Sequence, residues 1–96
     1  MNQLSLKLKK LYEEKKYKEI INIINELDDI NLNSGLLNLL GVCKMLYNNS
    51  AETLKSAIQD FRKAYLIEKK TENSLNALKN FINASIDLFD IEFKSN

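Results

Sequence analysis

The sequence predicts an all-α protein of about five helices folded into antiparallel hairpins, and three observations carry that reading. There is no proline in 96 residues, and glycine occurs only at Gly35 and Gly41, whereas sheet proteins need many more turn residues. Apolar side chains recur every three or four positions from Leu4 onward, the period of a helix face. At 45% hydrophobic and 28% charged, with no long uncharged apolar run, the composition predicts a soluble globular domain and not a disordered or membrane-spanning chain.

The elements follow in order along the single domain expected over 1–96. Leu4, Leu8 and Leu11, then Tyr17, Ile20, Ile24 and Leu27, form a stripe that the charged run Glu13-Glu14-Lys15-Lys16 interrupts. A tight turn is therefore expected there, between a first helix over about 3–14 and a second over about 17–28. The polar stretch from Asp28 to Gly35 closes this hairpin (3–28). A third helix over about 35–47 carries Leu36, Leu37, Leu40, Val42, Cys43 and Leu46. It ends at Asn48-Asn49, because asparagine tolerates the left-handed backbone that stops helices. Asn49 or Ser50 caps a fourth helix, with Glu52 or Thr53 reaching back, and that helix completes a second hairpin over 35–68. After a polar connection at Lys69 to Thr71, Glu72 or Asn73 opens a terminal helix over 72–90.

Internal similarity is the next test. Ile20, Ile24 and Leu27 share the spacing of Ala57, Phe61 and Ala64, and Leu37-Asn38-x-Leu40 reappears thirty-eight positions later as Leu75-Asn76-x-Leu78. Leu37, Leu40, Gly41, Ala57, Phe61 and Ala64 together resemble the signature of the tetratricopeptide repeat (TPR). Sel1-like repeats, which lengthen the link before the second helix, are a weaker relative. The resemblance covers nearly the whole chain, with 3–28 as a degenerate first repeat and the fifth helix as the opening of a third. No proline stands near the expected repeat ends, where Leu32 and Lys69 lie instead.

The resemblance implies hairpins stacked as a short right-handed TPR-like array. It also implies a non-catalytic scaffold that holds a peptide, or docks an adjacent domain of the same longer polypeptide, in a concave groove lined by the first helix of each hairpin. The groove residues it implies are Ser5, Lys9 and Tyr12 on the first helix, Asn38, Val42 and Met45 on the third, and Asn73, Asn76, Asn80 and Asn83 on the fifth. Spacings of three, four and three put the last four on one helix face. A row of amides, each a donor and an acceptor, can pair with an extended peptide backbone. The competing reading is compositional: Asn, Lys and Ile make up 36 of 96 residues, as an AT-rich coding sequence imposes on any solvated face. Lys9 is the one basic residue placed in the groove, which disfavours a clamp for peptide carboxylates.

Charge and chemistry narrow the alternatives. Residues 1–18 carry six Lys against Glu13 and Glu14, a net of +4 in a chain of net +1. That cluster lacks Arg and interleaved aromatics, so nucleic-acid or membrane binding is disfavoured against a solvated helix face. There is no His, no Cys-x-x-Cys and no Gly-rich phosphate loop, so no enzyme activity, catalytic residue, cofactor or metal is expected. Asp28-Asp29 and Asp87/Asp90 read as a helix end and a polar edge. Cys43, with no cysteine to pair with, reads as a core residue in a cytoplasmic protein.

The fifth helix carries two apolar stripes, Leu75/Leu78/Ile82/Ile86/Phe89 and Ala77/Phe81/Ala84/Leu88. One is expected to pack on the preceding hairpin and the other to meet a partner. Phe81 and Leu88 are the expected interface residues, with a homodimer through this helix, or a longer parent protein, as the source of the partner surface.

Overall fold

Five helices build the computed structural model, which describes residues 3–28, 31–67 and 71–94. They are α1 (Gln3–Glu13), α2 (Tyr17–Asn25), α3 (Ser34–Tyr47), α4 (Ala51–Ile67) and α5 (Glu72–Lys94). There is no strand among the described residues. The expected all-α architecture is therefore present, with every helix at its expected place.

Each boundary has a local cause. The α1–α2 turn is a Schellman motif: Lys16 N–H donates to the Leu11 carbonyl at 2.9 Å and Lys15 N–H to the Tyr12 carbonyl at 3.0 Å, which satisfies the last carbonyls of α1. Lys15 occupies the left-handed position that motif usually gives to glycine, at φ 60°. Left-handed backbone costs an L-residue about 1–2 kcal/mol, and glycine's greater freedom in the unfolded chain returns part of that difference. Lys15→Gly is accordingly expected to raise stability by about 0.5–1 kcal/mol, read as a higher urea midpoint at unchanged slope.

Helix α2 is shorter than expected. Its last turn tightens, with Glu26 N–H reaching the Ile23 carbonyl at 3.3 Å and Leu27 N–H reaching that of Ile24 at 3.1 Å, the three-residue spacing of a 3₁₀ turn. At the far end of α3 the expected left-handed asparagine is absent. Asn48 is extended (φ −154°, ψ 109°), so the chain leaves the helix directly into the link to α4.

Three N-termini are capped by hydroxyl or amide side chains. Leu36 N–H donates to Asn33 Oδ1 at 2.8 Å. Ser50, not Asn49, caps α4: its Oγ accepts from Thr53 N–H at 3.2 Å and donates to Thr53 Oγ1 at 2.9 Å. Glu72 opens α5 as expected, and Thr71 before it caps the helix by a reciprocal box, in which Ser74 N–H donates to Thr71 Oγ1 at 3.1 Å and Thr71 N–H to Ser74 Oγ at 3.0 Å. Serine here replaces the Glu or Gln usual at the third helical position. Helix α5 runs four residues beyond its expected end, and the stacked rings of Phe89 and Phe93, 5.7 Å apart, support that extra turn as an i,i+4 pair.

Helix α3 is central, packing on α2, α4 and α5, while α4 packs on α3 and α5 and α1 packs on α2. One buried cluster joins Leu8, Leu11, Ile20, Ile24, Leu37 and Leu40 with Cys43, Ala64 and Ala77. A second joins Leu54, Ala57, Phe61 and Ala84. Small residues set the spacing of the second cluster. A Cβ on Gly41 would lie 2.5–2.9 Å from three carbons of the fully buried Phe61 ring, so α3 and α4 approach this closely only because position 41 has no side chain.

The internal repeat is placed differently from its sequence match. The fully buried Ser34 and Ser74 correspond, as do buried Leu37 and Ala77, an offset of forty instead of thirty-eight. Leu75, matched to Leu37 by sequence, is 57% exposed. Burial sets the register here, and the two capped helix starts fix which positions face inward. Ser34 adds a long-range tie, donating from Oγ to the Ala64 carbonyl at 2.8 Å in the interior.

Candidate functional site

The groove residues expected from sequence gather at two clefts, one on each side of α3. Between α1 and α3 lies a cleft of about 430 Å³ lined by Ser5, Leu8, Lys9, Tyr12, Glu13, Leu36 and Leu39. Between α3 and α5 lies a smaller one of about 190 Å³ lined by Val42, Met45, Leu46, Phe61, Asn80 and Asn83. Ser5, Lys9 and Tyr12 thus stand together in the first, and Val42, Met45, Asn80 and Asn83 in the second.

The remaining members are distributed around them. Asn38 and Asn80 meet across the helices: Asn80 Nδ2 donates to Asn38 Oδ1 at 2.8 Å, so one amide of the row already ties α5 to α3. The Asn73 amide lies beside Gly35, within 3.5 Å of where a Cβ would stand, and Asn76 is exposed. The row is therefore unequal, with Asn76 and Asn83 open and Asn80 engaged in the fold.

Leu36 and Leu39, which form the apolar wall of the larger cleft, were not among the expected groove residues. Along α3 the apolar residues Leu36, Leu37, Leu39 and Leu40, together with Val42 and Met45 further on, surround the helix, and periodicity alone does not separate the core pair, Leu37 and Leu40, from the cleft pair. The physical signal is instead how closely a neighbour approaches: Leu37 and Leu40 are buried in the cluster that joins all five helices, whereas α1 stays at side-chain distance from α3 and leaves Leu36 and Leu39 half covered.

The expected interface pair Phe81 and Leu88 is corrected. Both pack, half-buried, against the cluster of Leu54, Ala57, Phe61 and Ala84. Ala77 and Ala84, which lie on the same stripe, are fully buried; short side chains let α5 settle on the hairpin, so this is the stripe that packs. The open stripe is the other one, with Leu75, Ile82, Ile86, Phe89 and Phe93 exposed.

A buried ion pair is the main polar feature that the sequence did not signal. Lys44 Nζ lies 2.7 Å from Asp60 Oδ2 and donates to Ser56 Oγ at 2.7 Å. Burial raises the Asp60 carboxyl above its ordinary range, against the opposing hydrogen bond and charge of Lys44 and the charge of Lys63. The buried Cys43 thiol is pushed up to about 11 by desolvation, which makes it a poor nucleophile at neutral pH. Asp28, Asp87 and Asp90 are exposed, and Asp29 lies outside the described residues.

The basic N-terminal segment is solvated: Lys7, Lys9, Lys10, Lys15, Lys16 and Lys18 are all exposed. Lys16 stands 3.6 Å from Glu14, and Lys18 lies over the Tyr47 ring, 5.5 Å from its centroid. Among the described residues, no group of three or more His, Cys, Asp or Glu is placed to hold a metal ion. No helix among them is long and apolar enough to cross a membrane.

Fold and clefts together define an all-α protein of five helices with two separate clefts, one between α1 and α3 and one between α3 and α5. No protein-family model, curated protein or solved structure matches this chain.

Proposed function

We propose that the chain is a non-catalytic, TPR-like interaction module that binds an extended peptide, or a segment of an adjacent domain, across α1, α3 and α5. The observation that carries this reading is the pair of apolar clefts flanking α3, whose polar members are Ser5, Lys9, Tyr12 and Glu13 in one and Asn80 and Asn83 in the other. Ligand pockets take this form, mostly apolar walls with a few polar groups that fix orientation. The helix neighbours support it too. Packing of α2 on α3, α3 on α4, α4 on α5 and α3 on α5 is the order that stacked helical hairpins produce. Gly41 against Phe61, and the fully buried Ala57 and Ala64, supply the close helix approach that the repeat signature requires. Two apolar side chains of the ligand would enter the clefts while open amides pair with its backbone. The reading needs no cofactor, and it places the protein in the cytoplasm, where a buried free thiol such as Cys43 persists.

The test is selection from a random linear peptide library on the immobilised protein, followed by fluorescence anisotropy with the enriched peptides. Peptides with two apolar residues separated by an extended spacer are expected to be enriched. Met45→Glu and Leu39→Glu should each weaken them at least tenfold, since a charge placed in an apolar cleft costs well over 1.4 kcal/mol. Absence of enrichment, or binding unchanged in both folded variants, would remove the reading.

A further inference from the structure

We infer that the open stripe of α5 pairs with the same stripe of a second copy of this chain, as an antiparallel two-fold helix pair. This rests on α5 alone and not on the groove. Leu75, Ile82, Ile86, Phe89 and Phe93 are between 50% and 70% exposed, although the opposite face of the same helix is packed on the second core cluster. Leu75, Ile82 and Phe89 are seven residues apart, as are Ile86 and Phe93, the repeat that keeps an apolar seam facing a partner helix. Large apolar side chains at that exposure leave on the order of 100 Å² each, so a two-fold pairing covers about the 1,000 Å² that a specific interface needs.

Charge selects the occupant and its direction. A two-fold axis passing at the level of residue 84 sets Ile82 against Ile86 of the other copy and Leu75 against Phe93. At 100° per residue, Lys79 and Asp90 fall on the same edge of the stripe, and both are exposed. In an antiparallel pair the same edges of the two helices meet, and this axis sets Lys79 level with residue 89 of the other copy, one residue and about 1.5 Å of rise from Asp90 on that edge, and likewise Asp90 with its Lys79. The surface is thus complementary to itself in both shape and charge, as a two-fold interface requires. A parallel pair would bring together opposite edges and leave Lys79 without a carboxylate at its level.

Sedimentation equilibrium of the full chain from micromolar to millimolar concentration is expected to show a monomer–dimer equilibrium. Ile82→Asp with Ile86→Asp should abolish it with helical circular dichroism unchanged, both sites being exposed. Lys79→Glu alone, and Asp90→Lys alone, should each weaken the dimer about tenfold by creating two like-charge contacts, and the double swap should restore it. A wild-type chain that is monomeric at millimolar concentration overturns the proposal. So does a dimer of undiminished affinity in the paired aspartate variant, or a double swap no tighter than its single parents.

Discussion

Phe61→Ala is expected to be the most damaging single substitution in the chain, costing about 3–5 kcal/mol. Phe61 is fully buried and is the largest side chain in the cluster that joins α3, α4 and α5, so truncation both removes its transfer energy and leaves a cavity. Domains of this size hold only about 5–15 kcal/mol in total, so the variant should be partly unfolded at physiological temperature. Gly41→Ala attacks the same contact from the other side. The added methyl meets the Phe61 ring well inside van der Waals distance, and overpacking of about 1–3 kcal/mol outweighs the roughly 1 kcal/mol that alanine gains in helix propensity. Because both changes act on one contact, a cycle with Phe61→Leu should be non-additive, the smaller side chain relieving Gly41→Ala. Urea denaturation of the four proteins checks this, and strict additivity would sink the account of Gly41.

Lys44→Met is the second large expected effect, and it depends on pH. Lys44 and Asp60 expose only 18% and 12% of their side chains, so removing the ammonium strands a buried carboxylate at a cost of about 3 kcal/mol near neutral pH. The sign follows from the direction of the shift. Asp60 is raised in the folded protein, with burial as the largest cause, so the folded state holds that proton more tightly than the unfolded chain does. The associated stability is full below the ordinary value of 3.8 and is lost as pH rises through the raised one. Lys44 opposes the rise, so deleting it moves the folded value further up. The variant should therefore match wild type at low pH and fall increasingly below it toward pH 7, and Lys44→Met with Asp60→Leu should recover most of the loss. An equal deficit at acid and neutral pH would show that Lys44 acts by packing its alkyl stem alone.

The fold was legible because most of its signals are local. The charged run 13–16 marks a turn through lost periodicity, and Ser50 and Thr71 cap helices through hydroxyls close to the backbone groups they satisfy. The cleft beside α1 was partly legible for a similar reason: Ser5, Lys9 and Tyr12, which line it, share one face of α1 whatever that helix meets. Leu36 and Leu39 were hidden because a helix apolar all round does not reveal which neighbour is absent. The stripes of α5 were assigned the wrong way round because both satisfy helical periodicity equally well. Side-chain size held the answer, since the stripe with Ala77 and Ala84 is the one able to approach a neighbouring helix closely.

By itself, the sequence determines that this chain is helical, where its five helices lie, and which side chains share a face, because each depends on interactions within a few residues. Tertiary structure alone decides that α3 is central, that Lys44 and Asp60 form a buried pair, that Asn80 is spent on Asn38, and that Leu75, Ile82, Ile86 and Phe89 remain open. These outcomes depend on how closely two helices approach. That distance is set by pairs such as Gly41 and Phe61, twenty residues apart in the chain and in contact only once it has folded.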